Sequence, residues 1–306
     1  MGTNVELSVK IGSKTFPNPV GAASGTFGYG SEYGELSDVS RIGAIFTKAV
    51  TLEPRGGNVP PRLVETPSGI LNTIGLANVG VEKFISEKLP FLKTLPCAVV
   101  VNVAGSTEDE YKQVVQKLEA AGEGVWGYEI NVSCPNVKHG GLAFGTDPKQ
   151  IERLTSSLKK LTKKPLIIKL TPNVTDITVI AKAAEAGGAS AVSLINTLLG
   201  MVIDIREKRP VLGAETGGLS GPAVRPVGVA LTYKASRAVS IPVIGMGGIT
   251  CAEDALQYML AGAAAIQIGT ANFVNPQTPL EVLDGIRAYC EEQGITSVND
   301  LRGMLN

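Results

Sequence analysis

Apolar positions along this chain gather into short continuous runs, and most runs are followed by a stretch with helical spacing. The runs Val20–Ala23, Ala44–Lys48, Cys97–Val103, Val125–Asn131, Leu166–Leu170, Ala191–Asn196, Ile241–Gly245 and Ala265–Ile268 read as strands. Strands that are apolar throughout belong to parallel sheets covered on both faces. Helical patterns fall between them at Glu108–Ala121, Pro148–Leu161, Thr175–Ala186, Val224–Val239 and Ala252–Ala261. Thr107, ahead of Glu108, Asp109 and Glu110, predicts an N-cap with an acidic first turn. Thr250 with Glu253 predicts a capping box. Ahead of all these, Val5–Ile11 and Thr15–Phe16, joined by Gly12-Ser13-Lys14, predict a hairpin that closes the bottom of a barrel. Eight strand–helix alternations point to an α/β fold of the TIM (β/α)8 barrel type rather than a doubly wound sheet. Two insertions, Val50–Leu76 and Leu198–Gly218, are expected over the C-terminal mouth, where such barrels place their chemistry. One domain spanning residues 1–306 is predicted, a length that single barrels reach.

Charge narrows the partners. Lys and Arg total 28 and Asp and Glu total 28, so no basic field steers the chain toward nucleic acid or anionic lipid. The four cysteines, Cys97, Cys134, Cys251 and Cys290, form no CxxC pair, which argues against a zinc or iron–sulfur site in this chain. No apolar run approaches the roughly 20 residues of a membrane helix. The first residues lack a signal-peptide core. A soluble cytoplasmic protein is expected.

Three features carry chemistry. The first is Asn131-Val132-Ser133-Cys134-Pro135-Asn136, a cysteine between carboxamides at a strand end, with the glycine-rich His139-Gly140-Gly141 beyond it. Asn donates and accepts at once, so this set suits a planar, hydrogen-bonding substrate, with the thiol as a base. A buried structural cysteine beside a turn-forming proline is the plainer reading of Cys134 alone. His139 reads as an exposed loop residue, and the loop, roughly Pro135 to Gly145, as a lid that opens and closes. The second feature is glycine at the ends of the last two strands, in Gly245-Met246-Gly247-Gly248 and Gly269-Thr270, with Gly221 as a third wall. Loops after strands seven and eight are the usual phosphate site of a TIM barrel. No GxGxxG fingerprint sits in a βαβ setting, which counts against nicotinamide binding by this chain. The third is a pair of lysines, Lys48 and Lys169, closing apolar strands, where a charge is costly unless it meets an anion or a carbonyl. A flavin needs such a cation near its N1–C2=O edge. Trp126 and Tyr128 read as packing residues.

In order and spacing these segments resemble the class 1 dihydroorotate dehydrogenases over nearly the whole chain. The likeness runs through Asn18-Pro19-Val20, Ala22-Ala23-Ser24-Gly25, Thr47-Lys48-Ala49-Val50, Asn72-Thr73-Ile74-Gly75-Leu76-Ala77-Asn78, Asn131–Asn136, Lys169-Leu170, Asn196-Thr197, Gly217–Gly221, Gly245–Gly248 and Ile268–Thr270. Cysteine at position 134 resembles class 1; class 2 enzymes carry serine there and an N-terminal extension that this sequence does not show. The stretch Asn196–Asp204, followed by Gly217–Pro222, is similar to the NAD-linked subclass.

The resemblance implies one FMN per chain, held through Ala23, Ser24, Lys48, Ala49, Asn102, Asn131, Lys169, Ile195, Gly221, Gly247, Gly248, Gly269 and Thr270. It implies dihydroorotate held by Lys48, Asn72, Thr73, Ile74, Gly75, Leu76, Asn131, Asn136, Asn196 and Thr197. Cys134 would be the catalytic base, and no metal is implied. The NAD-linked subclass further implies a partner subunit carrying FAD and a 2Fe-2S cluster, in a heterotetramer built on a homodimer of this chain. A fumarate-using homodimeric enzyme, a dihydrouridine synthase and a non-catalytic phosphate-binding barrel stay open as alternatives.

Overall fold

A computed structural model describes residues 5–133 and 144–305. Eight parallel strands close a barrel, in the order β3 (Val20–Ala22), β4 (Ala44–Phe46), β7 (Ala98–Val103), β8 (Gly127–Asn131), β9 (Leu166–Lys169), β10 (Ala191–Leu194), β15 (Val243–Met246) and β16 (Ala265–Ile268), which returns to β3. Each coincides with one of the apolar runs, trimmed or shifted by one or two residues. The residues of β7, β9, β10, β15 and β16 are buried throughout, because barrel interior and helical shell cover both faces. The chain therefore forms a TIM barrel.

Helices fill most connections. A composite segment of α1 (Gly80–Lys83), a π-helical turn at Phe84–Lys88 and α2 (Leu89–Leu92) precedes β7. After it come α3 (Glu108–Ala120), α4 (Pro148–Lys159), α5 (Ile177–Ala186), α6 (Arg225–Ala238), α7 (Ala252–Leu260), α8 (Ala271–Val274) and α9 (Thr278–Glu292). The Thr107 side chain accepts from the Glu110 N–H at the start of α3, as its sequence predicts. Asp147 and Asp176 cap α4 and α5 in the same manner. The connection from β3 to β4 departs from strict alternation, with only a 3-10 turn at Ser31–Tyr33. Gly25, Gly28 and Gly30 there take positive φ values of 86°, 54° and 91°, which a continuous helix does not allow.

The predicted hairpin is present but tighter, with β1 (Val9–Ile11) and β2 (Lys14–Phe16) around a two-residue turn. Val9, Ile11 and Phe16 pack with Ala98, Ile167 and Ala191 at the N-terminal ends of barrel strands, so the hairpin does close the bottom. Trp126 lies against Phe16, with ring centroids 4.5 Å apart, and buried Tyr128 donates to Glu119, so both are packing residues.

The two insertions fold together. β5 (Leu63–Thr66) and β6 (Gly69–Asn72) from the first join β11 (Leu198–Met201) and β14 (Thr216–Ser220) from the second in one antiparallel sheet, ordered β11-β14-β6-β5. Gly218 pairs with Asn72 and Leu219 with Leu71. A short ribbon of β12 (Ile203–Asp204) and β13 (Arg209–Pro210) extends from it. Because β11 leaves the C-terminal end of β10 and β14 leads to Gly221, this sheet belongs to the barrel mouth. No helix among the described residues is long and apolar enough to cross a membrane.

Candidate active site

The glycine rim is built from loops that only glycine accommodates. Gly221 follows β14 at φ 100°, and Gly247 and Gly248 follow β15 at 124° and 69°. A Cβ on Gly221 would stand 2.6 Å from Gly69 Cα, and one on Gly248 would stand 2.7 Å from the Gly221 carbonyl oxygen. The backbones therefore approach as closely as they can, and Thr270 adds a hydroxyl that donates to Ser220 Oγ at 2.8 Å. Gly269 has no such crowding, its nearest neighbours being Ala23 Cβ and Thr26 Cγ2 at ordinary contact. Ala23 bonds back to Ile268 through its N–H, which brings the β3 and β16 ends together. Ser24 is half-buried beside them. Together these groups make a close-packed rim at the ends of β3, β14, β15 and β16, a kind of backbone surface that can receive an anion.

The predicted capping box closes elsewhere. The cap residue of α7 is Cys251, without a side-chain cap bond, and it is Asp254 rather than Glu253 that accepts from the Thr250 N–H (2.9 Å) and hydroxyl (2.7 Å). Glu253 points to solvent-side partners, whereas buried Asp254 also pairs with Arg225. Arg225 packs against Gly248 and went unnoticed in the sequence.

Inside the barrel lies a polar cluster that sequence reasoning found only in part. Glu129 on β8 is fully buried and its carboxylate accepts from Asn102 Nδ2 at 2.6 Å, Ser193 Oγ at 2.7 Å and Gln267 Nε2 at 2.8 Å. Lys169 Nζ stands 3.8 Å from the same carboxylate, so this lysine does meet an anion. Glu129, Ser193 and Gln267 were not anticipated. Their signal is the same as that of the lysines, since a Glu and a Gln inside otherwise apolar strands cost free energy unless partnered. Asn102 Oδ1 and Gln267 Oε1 remain buried without a hydrogen-bond partner among the described residues.

Above this layer, Asn131 and Lys169 are register partners at the ends of β8 and β9. Asn131 Oδ1 accepts from the Ser133 N–H (3.2 Å) and from Asn196 Nδ2 (3.3 Å), and Asn196 also donates to Ser133 Oγ (2.9 Å). The structure therefore brings Asn131 and Asn196 together at the mouth, with the residue before Cys134 between them. Thr197 donates its N–H to Asn196 Oδ1. Ile195 is buried and bonds to the Met246 carbonyl. Lys48 is half-buried two residues past β4, its N–H held by the Gly28 carbonyl, and Ala49 beside it is buried. From the mouth sheet, Asn72 donates to the Gly218 carbonyl. Thr73 and Ile74 are pinned through Asn58. Gly75 and Leu76 then take consecutive left-handed conformations, φ 71° and 55°, with no backbone acceptor for their N–H groups among the described residues. Two donors left open among the described residues suit an anion.

Cys134, Asn136, His139 and loop residues 135–143 lie outside the described residues. Of the other cysteines, burial pushes the Cys97 thiol up to about 11, and burial also raises Cys251 and Cys290. None of these three is poised as a thiolate.

The family model for dihydroorotate dehydrogenase matches residues 6–289. A Thermoanaerobacter sp. (strain X514) protein is 52% identical over 301 residues, covering 98% of this chain and 99% of its own. Relatives from Geotalea uraniireducens (51%, covering 98% of each chain) and Alkaliphilus metalliredigens (50%, covering 99% and 100%) match similarly. All three are named dihydroorotate dehydrogenase B (NAD(+)), catalytic subunit. A barrel with a glycine rim, a buried cation and a crown of asparagines, matched along nearly its whole length, belongs to the dihydroorotate dehydrogenase family.

Proposed function

We propose that this chain is the catalytic subunit of an NAD-linked dihydroorotate dehydrogenase, oxidising dihydroorotate to orotate in pyrimidine biosynthesis in the cytoplasm. The observation that carries the reading is Asn102, whose Nδ2 donates to the Glu129 carboxylate that Lys169 also faces at 3.8 Å, while its buried Oδ1 has no hydrogen-bond partner among the described residues. A buried acceptor left alone costs about 1–3 kcal/mol, which an N–H on the pyrimidine edge of a flavin would repay. Lys169 suits the N1–C2=O edge, and the rim of Gly221, Gly247, Gly248, Gly269 and Thr270 suits the phosphate of FMN. Ala23, Ser24, Lys48, Ala49, Asn131 and Ile195 complete that binding set.

FMN, when bound, supplies the two-electron acceptor for the hydride that leaves C6 of dihydroorotate. The chain's own residues do the rest. Lys48 and the free N–H groups of Gly75 and Leu76 anchor the substrate carboxylate. Asn72, Asn131, Asn136 and Asn196, with Thr73, Ile74 and Thr197, match the alternating N–H and C=O groups of the ring. Cys134 takes the C5 proton, a role that needs a thiol titrating near neutral pH, below its free value of about 8.5. Electrons leave through a partner subunit carrying FAD and a 2Fe-2S cluster, in a heterotetramer built on a dimer of this chain.

The purified protein should be yellow and release FMN on denaturation, and anaerobic dihydroorotate should bleach it. NAD reduction should require added partner subunit, and turnover with fumarate by the chain alone would assign it to the other subclass. Cys134→Ser should retain FMN yet bleach about 10²-fold or more slowly at neutral pH. Wild-type bleaching rates in that variant, followed by rapid mixing, would remove Cys134 from the role.

A further inference from the structure

We infer that Glu129 is a positioning residue for the flavin edge, one that orients Asn102 and sets how much of the Lys169 charge the cofactor experiences. The inference rests on the FMN reading above. It starts from a constraint on hydrogen-bond polarity. An ionised carboxylate only accepts, whereas an asparagine or glutamine amide can turn either its carbonyl or its NH2 toward a neighbour. Glu129 takes the NH2 ends of Asn102 and Gln267 and the hydroxyl of Ser193, three donors from strands β7, β16 and β10 converging on one fully buried group. That choice leaves both amide carbonyls without partners among the described residues, although both atoms are buried. No other arrangement around an acceptor-only group is open to Asn102, so the free acceptor at Asn102 Oδ1 is a consequence of Glu129.

The second half of the inference concerns charge. Lys169 Nζ is 3.8 Å from Glu129 Oε2, and both side chains are almost wholly withdrawn from solvent. In such surroundings screening is weak and the carboxylate offsets a large part of the lysine's field. Two-electron reduction of a flavin leaves negative charge at its N1–C2=O edge. A carboxylate behind the lysine therefore lowers the reduction potential relative to an unopposed cation. The hydroxyl of Ser193 and the two amides act in the opposite sense, since each donor they aim at Glu129 draws down its negative field.

Opposite signs make the test specific. Glu129→Gln in the FMN-loaded protein should raise the flavin midpoint potential by at least a tenfold change in the oxidised-to-reduced ratio, about 30 mV for a two-electron couple. Ser193→Ala, which keeps the carboxylate and removes one donor, should lower it. FMN affinity should fall in Glu129→Gln, because the Asn102 amide is then free to turn over, and Glu129→Asp should restore a potential on the wild-type side. A Glu129 that merely fills the barrel would alter thermal stability in these variants and leave the potential where it was. An unchanged potential in Glu129→Gln, or shifts of the same sign in both variants, overturns the inference. If Glu129→Gln does not fold, Ser193→Ala decides alone: a lowered potential supports the inference, and an unchanged or raised one overturns it. A wild-type protein without FMN would instead refute the cofactor assignment itself, a result distinguishable from either.

Discussion

Gly221 and Gly25 share a left-handed backbone, φ 100° and 86°, but not a neighbourhood. A Cβ at Gly221 meets Gly69 Cα at 2.6 Å, backbone against backbone, while at Gly25 nothing lies within 4 Å. Gly25→Ala should therefore cost only the conformational strain, about 1–2 kcal/mol. Gly221→Ala should cost about 1–3 kcal/mol beyond that, since neither backbone can swing aside. Chemical denaturation of the two flavin-free variants checks the difference, and equal losses would mean the contact with Gly69 is easily relieved. The same contrast shows what a sequence reveals at this scale. Gly221, Gly247 and Gly248 could be picked out because glycines at successive strand ends converge on one rim. Lys48 and Lys169 stood out because a charge ending an apolar run demands a partner. Glu129 is the partner of Lys169, yet it sits two positions before Asn131, within a strand read as apolar, and the pairing exists only once β8 and β9 are adjacent.

At the scale of elements, local signals were strong wherever they were self-contained. The cap at Thr107 is legible because a hydroxyl and an N–H three residues on complete it within one turn. Thr107→Ala should lower stability by about 1 kcal/mol, and Thr107→Ser should recover most of it. A shift of the urea midpoint measures both, and an unshifted alanine variant would mean that solvent replaces the cap. The α7 start was misassigned because two acidic residues, Glu253 and Asp254, compete for one role. Burial against Arg225 favours Asp254, and that contact spans 29 residues. Each barrel strand was recognisable as an apolar run, since both of its faces are covered. The sheet over the mouth was not, because β6 and β14 come from insertions whose registered residues, such as Asn72 and Gly218, lie 146 positions apart. Glycine- and proline-rich stretches read locally as loops, and only their mutual pairing makes them strands.

For the whole molecule, the balance of 28 acidic and 28 basic residues conceals an asymmetry in pH response. Several carboxyls titrate below their ordinary range in the fold, all in the same direction. The N–H and hydroxyl of Thr178 lower Asp176, the Ser240 hydroxyl and nearby N–H groups lower Glu185, and backbone N–H groups of Glu207 and Arg206 lower Asp204. Glu119 is the most connected. Burial alone would raise it, but Tyr128, Lys164 and Thr162 together outweigh burial and hold it down. A carboxyl lowered on folding contributes stability that is present above its unfolded value, here about 4.5, and lost as pH falls through the folded value. The opposite limb comes from groups that burial raises, Tyr29 up to about 12 and Cys97 up to about 11, whose contribution is full below their unfolded values and is lost as pH rises through the raised ones. Stability should thus be flat near neutrality and fall on acidification. Glu119 joins the end of α3 to Tyr128 on β8 and to Lys164 ahead of β9, so its contribution is separable by substitution. Glu119→Gln should be less stable than wild type at pH 7, and the gap should narrow as pH falls below about 4.5, where the unfolded carboxyl takes up its proton, and on through the lowered value in the fold. Urea midpoints of both proteins at pH 7 and at pH 3 test this. A gap of the same size at both would mean that Glu119 acts by packing alone, and that the acid sensitivity of the barrel resides in other carboxyls.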